Sequence, residues 1–83
     1  MTFRVHVRVM PRRGLLDPQG QAVEGALAAL TFSEASNVHV GKAIELDVAA
    51  PSAEAARERA EAMCAKLLAN PVTEDYVIEV EAR

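Results

Sequence analysis

The strongest constraint on the fold is a run of apolar residues at helical spacing in the second half of the chain. The apolar positions recur at i, i+4, i+7, i+8, i+11 and i+12, and most charged residues fall off this stripe. Ser52 precedes the run as an N-cap, and Asn70-Pro71 follows it as a stop signal. An amphipathic helix is therefore predicted between these signals, with its stripe at Ala56, Ala60, Met63, Cys64, Leu67 and Leu68.

Two stretches of alternating polarity predict half-buried strands near the two ends of the chain. The first covers residues 3–9 and ends before Pro11, which cannot donate to a strand ladder. The second runs from about Asp75 to Glu81. In the first strand the apolar face holds Phe3, Val5, Val7 and Val9 and the polar face Arg4, His6 and Arg8; in the last strand the apolar face holds Tyr76, Ile78 and Val80.

A first helix is predicted from Pro18 to about Leu30. Asp17 is suited to cap its N-terminus, and Pro18 lacks an N–H that would be unpaired there. Gly25 inside the helix costs about 1 kcal/mol relative to Ala, which a close approach of the helix to the sheet would explain. Phe32, just after the helix, is expected to anchor the linker in the core.

Residues 38–48 admit two interpretations. A hairpin with a three-residue loop at 41–43 sets Val40 opposite Ile44 and Val38 opposite Leu46, which keeps apolar residues on one face. The competing interpretation is one long strand with a bulge at Gly41. We prefer the hairpin, with Gly41 as the turn glycine.

The resulting order, β-α-β-β-α-β, predicts an α+β protein of the ferredoxin-like kind, with both helices on one face of an antiparallel sheet. The first strand lies between the third and the fourth in that arrangement. Its basic residues then face acids across the strands, each such pair contributing roughly 0.2–1 kcal/mol. The expected acids are Glu45 and Asp47 on one side and Glu79 and Glu81 on the other.

Composition narrows the class of protein. We expect the 83 residues (1–83) to form a single domain, whose modest core favours oligomerisation. The net charge of −3 argues against a nucleic-acid partner, and the sequence has no long apolar run for a signal peptide or membrane span. We expect a cytoplasmic protein with no metal site.

The single cysteine, Cys64, lies on the core stripe and is expected to be a small buried hydrophobe.

The stretch from Gly14 to Gly20 is the best candidate for a functional surface. A helix cap explains Asp17 and Pro18, but a turn requires neither the adjacent leucines nor Gln19. A phosphate site at Arg12, Arg13 and the helix N-terminus is less favoured, because Asp17 would repel an anion. We therefore predict a docking surface at Leu15, Leu16 and Gln19.

Four runs of residues resemble the PurS family, the small subunit of phosphoribosylformylglycinamidine synthase. They are Gly14–Gly20 with Ala22-Val23, Val38–Leu46, Met63–Val72 and Glu74–Tyr76, and together they extend over nearly the whole chain. The Leu-Asp-Pro-Gln-Gly and Leu-Leu-Ala-Asn-Pro runs are the most specific in combination. Two departures matter below: His39 stands where the family often has arginine, and Thr31 where it often has glycine.

The resemblance implies an accessory subunit of an ATP- and glutamine-dependent carbon–nitrogen ligase, with no catalytic residue or cofactor in this chain. ATP and magnesium would bind the synthetase subunit, and this chain would bridge that subunit and the glutaminase as a homodimer or larger oligomer. The interface candidates are Arg12, Arg13, Gly14, Leu15, Leu16, Gln19, His39 and Lys42; the structural residues are Asp17, Pro18, Gly20, Gly41, Asn70 and Pro71.

Two other functions remain open from the sequence. The same strand and helix order occurs in acylphosphatases, whose arginine loop and asparagine would correspond loosely to Arg12, Arg13 and Asn37. A domain that binds a small regulatory molecule is the third hypothesis.

Overall fold

The computed structural model describes all 83 residues. Strand β1 (Thr2–Pro11) leads through a loop to helix α1 (Pro18–Ala29), and a long connection leads to strand β2 (Lys42–Ala49). Helix α2 (Ala53–Met63) continues as a π-helical segment (Cys64–Leu68), and strand β3 (Glu74–Ala82) ends the chain. No helix combines the length and the apolar character that crossing a bilayer requires.

The three strands form an antiparallel sheet in the order β2-β1-β3. The α+β class, with an antiparallel sheet and two helices, is confirmed, and so is the central position of the first strand. The register places Val5 between Leu46 and Val80, and Val7 between Ile44 and Ile78. Apolar residues of all three strands therefore share one face, as the alternation of the sequence predicts.

The preferred hairpin at residues 38–48 is wrong. A single strand begins at Lys42, and residues 38–41 do not join the sheet. The N–H groups of Val38 and Val40 donate instead to carboxylates of Glu24 and Asp17. The bulged-strand alternative also fails, since the strand starts only after the glycine.

Gly41 lies directly against β1. A Cβ atom at this position would come within 2.2 Å of the carbonyl oxygen of Val9, a distance that no side chain can occupy. The predicted structural role of Gly41 therefore comes from close backbone approach rather than from a hairpin turn.

The buried core lies between α2 and one face of the sheet. Val5, Val9, Ala56, Ala60 and Cys64 have no exposed surface, so the two small alanines let the helix approach the strands closely. Burial raises the pKa of the Cys64 thiol, which matches its prediction as an inert core residue. The remaining members of the cluster are Phe3, Val7, Val48, Ala50, Ala69 and Ile78.

Helix α1 does not pack on the sheet, contrary to the prediction that both helices cover one face. Its only buried residue is Gly20, and none of its residues belongs to the core cluster. Phe32 is 50% exposed, so its prediction as a core anchor is also wrong. The molecule measures 50 × 26 × 14 Å, an elongated shape for so short a chain. Periodicity showed that α1 forms but could not show what it packs against.

The open face of the sheet carries the predicted cross-strand ion pairs at two of three positions. Arg4 contacts Asp47 at 2.6 Å and Glu45 at 2.9 Å, and its guanidinium lowers the pKa of the Asp47 carboxyl. His6 lies 3.3 Å from Glu45 through Nδ1 and 3.2 Å from Glu81 through Nε2. Arg8 faces Ala43 and Val77 across the strands and forms no ion pair, so the prediction fails there.

Candidate functional site

The loop between β1 and α1 is tied to the far end of the sheet by Arg12. Its backbone N–H donates to the Thr73 carbonyl at 2.9 Å, and its guanidinium donates to the Pro71 carbonyl at 2.6 Å. The same guanidinium lies 3.3 Å from Asp75. This predicted interface residue therefore has a structural task, which is to hold the loop against the turn at Asn70–Glu74.

That turn is itself closed by Asn70 and Glu74. The side-chain oxygen of Asn70 accepts the Val72 N–H at 2.9 Å, and its own N–H donates to the Glu74 carboxylate at 2.7 Å. Asn70 and Pro71 therefore end the helical segment and also form the turn whose Pro71 carbonyl accepts a hydrogen bond from Arg12.

Beyond Arg12 the loop turns outward and exposes its leucines. Gly14 has φ +85°, a conformation that L-residues rarely adopt, so this position requires the glycine. Leu15 is 44% and Leu16 74% exposed, and neither belongs to the core cluster or packs against it. Apolar side chains held outward by a tied loop are typical of an interaction surface.

Asp17 fixes the end of this loop and the start of α1. One carboxylate oxygen accepts the Gly20 N–H at 3.0 Å, which is the predicted N-cap bond. The other accepts the Val40 N–H at 3.0 Å and lies 3.3 Å from Nδ1 of His39. The bonds from Gly20 and Val40 are the main reason that the pKa of Asp17 is lowered, so the carboxylate is held in its charged form.

His39 links this carboxylate to the connection before β2. Its Nδ1 faces Asp17, and its Nε2 lies 3.3 Å from the side-chain oxygen of Asn37. Asn37 adopts φ 56°, which asparagine tolerates better than most residues. The histidine thus occupies a position where a positive charge would meet the Asp17 carboxylate.

The loop, α1 and residues 37–39 together enclose an open groove of about 1280 Å³. Arg13, Leu15 and Leu16 line it from the loop, and His39 lines it from the connection. Gly25 contributes to the wall on α1, where a Cβ atom would meet nothing within 4 Å. The close approach to the sheet that we expected to explain Gly25 is therefore absent, and the glycine widens the groove.

The predicted site residues thus divide into two groups. Arg13, Gly14, Leu15, Leu16, His39 and the structural residue Asp17 line one groove, whereas Gln19 and Lys42 are exposed outside it. Gly20 is needed because a Cβ there would lie 2.2 Å from the Val38 carbonyl. Sequence reasoning did not propose several other groove residues, among them Met10 at the end of β1. Four more become neighbours only when the connection folds back on α1: Gln21, Glu24, Ala28 and Val38.

The geometry gives little support to a phosphate or acyl phosphate site. Arg12 already bonds Pro71 and Asp75, and the Asp17 carboxylate accepts the Gly20 N–H at the α1 N-terminus and would repel an anion there. No set of three or more histidine, cysteine or acidic side chains is placed to hold a metal ion. The groove is instead a mixed apolar and polar surface suited to a protein contact.

Helix α1 adds a second exposed apolar surface beside the groove. Glu24 is its only charged residue, and the Glu24 carboxylate is partly buried and accepts the Val38 N–H. Val23 is 41% exposed and Leu30, at the C-cap, 64%. A helix that has no charged outer face is unusual at a protein surface. Both surfaces lie on the part of the chain that does not contribute to the core.

Comparison with known proteins agrees with these features of a small α+β protein whose exposed surfaces suit protein contacts. The PurS family profile, described as phosphoribosylformylglycinamidine (FGAM) synthase, matches residues 4–82. The synthase subunit PurS of Bacillus subtilis is 42% identical over 79 residues, covering 95% of this chain and 93% of that protein.

Solved structures give the same result. The PurS of Methanocaldococcus jannaschii superposes with a TM-score of 0.86 at 36% identity, covering 98% of each chain. A chain from the structure of PurLQS of Thermotoga maritima superposes with a TM-score of 0.88 at 31% identity, covering 96% of this chain and 98% of that one. The chain belongs to the PurS family of phosphoribosylformylglycinamidine synthase subunits.

Proposed function

We propose that this chain is a non-catalytic bridging subunit that holds a glutaminase subunit and a synthetase subunit together. The complex of these three subunits converts formylglycinamide ribonucleotide, ATP and glutamine to formylglycinamidine ribonucleotide, a step of purine biosynthesis. The observation that carries the proposal is the Leu15-Leu16 pair, exposed on a loop that Arg12 and Asp17 fix at both ends. A loop fixed in this way loses little conformational entropy when a partner binds.

The polar groups of the groove support a structural role. Asp17 and His39 form the only acid–histidine pair there, and the carboxylate is occupied by the N–H groups of Gly20 and Val40. A general base needs a free lone pair within reach of a substrate proton. Each oxygen of this carboxylate already accepts one backbone N–H, and these bonds stabilise its charged form, which lowers its basicity.

Helix α1 supports self-association as a homodimer or larger oligomer. Its exposed apolar face, with Val23, Ala26 and Leu30, has no counterpart to pack against in its own chain. Ile44 and Leu46 of β2 are only partly buried, since α2 packs mainly over β1 and β3. A second copy that brings its α1 to this side of the sheet would cover both apolar surfaces.

The complex would operate in the cytoplasm. The PurLQS structure from Thermotoga maritima is the comparison that supports an assembly of this kind. ATP and magnesium would bind the synthetase subunit, and glutamine the glutaminase subunit. This chain would hold the two active sites in a fixed relative position so that ammonia passes from the glutaminase subunit to the synthetase subunit.

Reconstitution of the three purified subunits tests the proposal. Glutamine-dependent synthesis should require this chain, whereas synthesis from added ammonium should persist in its absence because the synthetase reaction itself is intact. Glutamine-dependent synthesis that proceeds unchanged without this chain would contradict the proposal.

A double variant, Leu15→Asp with Gln19→Ala, tests the docking loop itself. It should leave the isolated subunit folded but weaken complex assembly, which light scattering or analytical ultracentrifugation can measure. Leu67→Asp is the matched control, because Leu67 is 82% exposed and lies on the π-helical segment rather than on the loop. If the double variant and the control assemble equally well, the loop is only a turn and not a docking surface.

A further inference from the structure

Helix α1 is held to its own chain by two carboxylates rather than by apolar packing. The Glu24 carboxylate accepts the Val38 N–H at 3.0 Å, and the Asp17 carboxylate accepts the Val40 N–H at 3.0 Å. We call this pair of bonds the carboxylate latch. The Val38 carbonyl lies so close to Gly20 that a Cβ atom there would be 2.2 Å away. The latch therefore joins one stripe of the helix to the connection before β2.

The latch fixes the rotation of α1 about its own axis. Hydrogen bonds are directional, whereas apolar packing is not, so two bonds to nearby backbone groups hold a helix in one orientation. The core cannot do so, because none of its residues belongs to α1. The Asp17 carboxylate also caps the helix through Gly20, whereas Glu24 makes no other hydrogen bond or ion pair. Glu24 therefore serves the latch alone.

This rotation decides which face of α1 points outward. Val23, Ala26 and Leu30 recur at i, i+3 and i+7, so they share one helix face. All three are exposed, and none of them lines the groove. Glu24 is the only charged residue of α1, and its carboxylate is bound to Val38. The outward face is thus apolar and carries no charge.

The core face of β2 in a second copy is the surface that this helix face fits. Ile44 and Leu46 are only partly buried there and offer apolar surface. The acids of this strand, Glu45 and Asp47, point to the open face instead and contact Arg4. An uncharged helix face can therefore cover Ile44 and Leu46 without burying an unpaired charge. Since α1 stands apart from its own sheet, the contact must come from another molecule, and a second copy returns the same contact and closes a dimer.

We propose that Glu24 is a positioning residue for self-association: through its bond to Val38 it holds α1 with its apolar face outward, ready to meet β2 of a second copy. The inference rests on the self-association of the proposed function and names the residue that controls it. A helix that is fixed in advance loses less freedom on binding than one that is ordered only at the interface. Removing the bond should therefore weaken association and leave the core intact, because α1 contributes nothing to the core.

Two variants of Glu24 measure the role of the bond. Glu24→Ala removes the acceptor, whereas Glu24→Gln keeps a carbonyl oxygen that can accept the Val38 N–H. Sedimentation equilibrium should give a dissociation constant about tenfold higher for Glu24→Ala, the effect of one lost hydrogen bond, and close to the wild-type value for Glu24→Gln. An unchanged constant in Glu24→Ala overturns the proposal, and so does a Glu24→Gln variant that associates as weakly as Glu24→Ala.

Glu58→Ala is the matched control, because Glu58 is an exposed glutamate on α2 with no hydrogen bond or ion pair. Its dissociation constant should equal that of the wild type. Amide hydrogen exchange is the second readout: the Val38 amide should exchange quickly in Glu24→Ala and slowly in Glu24→Gln, while the amides of β1 stay protected in both. Equal weakening by Glu58→Ala and Glu24→Ala, or slow exchange at Val38 in Glu24→Ala, overturns the proposal.

A charge placed on the outward face tests the face itself. Val23 is 41% exposed and takes no part in the latch, so Val23→Asp should remain folded with a protected Val38 amide. It should raise the dissociation constant by about tenfold or more, since the new charge would be buried against Ile44 and Leu46. An unchanged constant in Val23→Asp overturns the proposal.

The wild-type chain separates this inference from the function on which it rests. If it stays monomeric at every concentration, the self-association of the proposed function is wrong, and this inference is wrong with it. If the wild type associates and Glu24→Ala associates equally well, only the inference is wrong. Reconstitution with the glutaminase and synthetase subunits tests the bridging role independently of both.

Discussion

The Asp17 carboxylate accepts the backbone N–H of Val40 at 3.0 Å, although 23 residues separate them in the sequence. The same side chain accepts the Gly20 N–H. One carboxylate therefore caps α1 and holds the connection before β2 against it. This double use explains why the groove keeps its shape in a part of the chain that contributes nothing to the core.

We expect the contribution of Asp17 to stability to depend on pH. Its pKa is lowered in the folded state from an ordinary value of 3.8, chiefly by the Gly20 and Val40 N–H groups. A depressed folded-state pKa gives stability that is complete above the ordinary value and is lost as the pH falls through the lowered value. Asp17→Asn should be less stable than the wild type at pH 7, and the difference should shrink below pH 3.8. Urea denaturation across the pH range measures this, and a constant difference contradicts it.

Two glycines in α1 should respond oppositely to alanine. Gly20→Ala places a Cβ 2.2 Å from the Val38 carbonyl and should lower the free energy of unfolding by about 1–3 kcal/mol. Gly25→Ala meets nothing within 4 Å and should raise it by up to about 1 kcal/mol through helix propensity. Urea denaturation followed by circular dichroism checks both. A loss of stability in Gly25→Ala would contradict the open space of 4 Å around this position.

Thr31 should be improved by glycine. It follows the C-cap of α1 with φ 76°, where a β-branched residue is strained. Thr31→Gly should stabilise the chain by about 1 kcal/mol, since the left-handed conformation costs an L-residue roughly that much. Thr73→Gly, in a turn with no positive φ, is the control and should not stabilise. Thermal melts of the two variants compare them directly.

Cys64 should be unreactive in the folded protein. Its side chain is fully buried against the sheet, and burial raises the pKa of its thiol, so little thiolate exists at neutral pH. A disulfide reagent such as DTNB should label it slowly under native conditions and rapidly in urea. Rapid native labelling would indicate frequent opening of the π-helical segment.

Local signals in the sequence predicted most of the secondary structure. The Asp17-Pro18 start, the Ser52 cap and the Asn70-Pro71 stop mark the helices within a few residues, because capping depends on neighbours along the chain. The alternation of β1 and β3 placed the correct residues on the core face, because a half-buried strand must segregate its side chains. The cross-strand pairs of Arg4 and His6 followed from the strand order.

The errors concern contacts between distant segments. Val38 and Val40 resemble a strand, but carboxylates of Glu24 and Asp17 bind their N–H groups, and no local pattern reveals such a competitor. Leu30 and Phe32 are apolar and yet exposed, because α1 has no partner inside its own chain. The bond from Arg12 to the Pro71 carbonyl was not foreseen either, and the predicted place of Arg12 at an interface stays a prediction.

The sequence by itself determined both helices, the first and last strands, the core face of the sheet and the family, since these depend on residue types at short spacing. Only the tertiary structure decided that α1 stands apart from the sheet, that Asp17 joins two segments into a groove, and that residues 38–41 stay outside the sheet. Each of these depends on which distant groups satisfy which backbone hydrogen bonds. That choice is made by the whole fold, because a bond between distant segments forms only after every connecting element has taken its place.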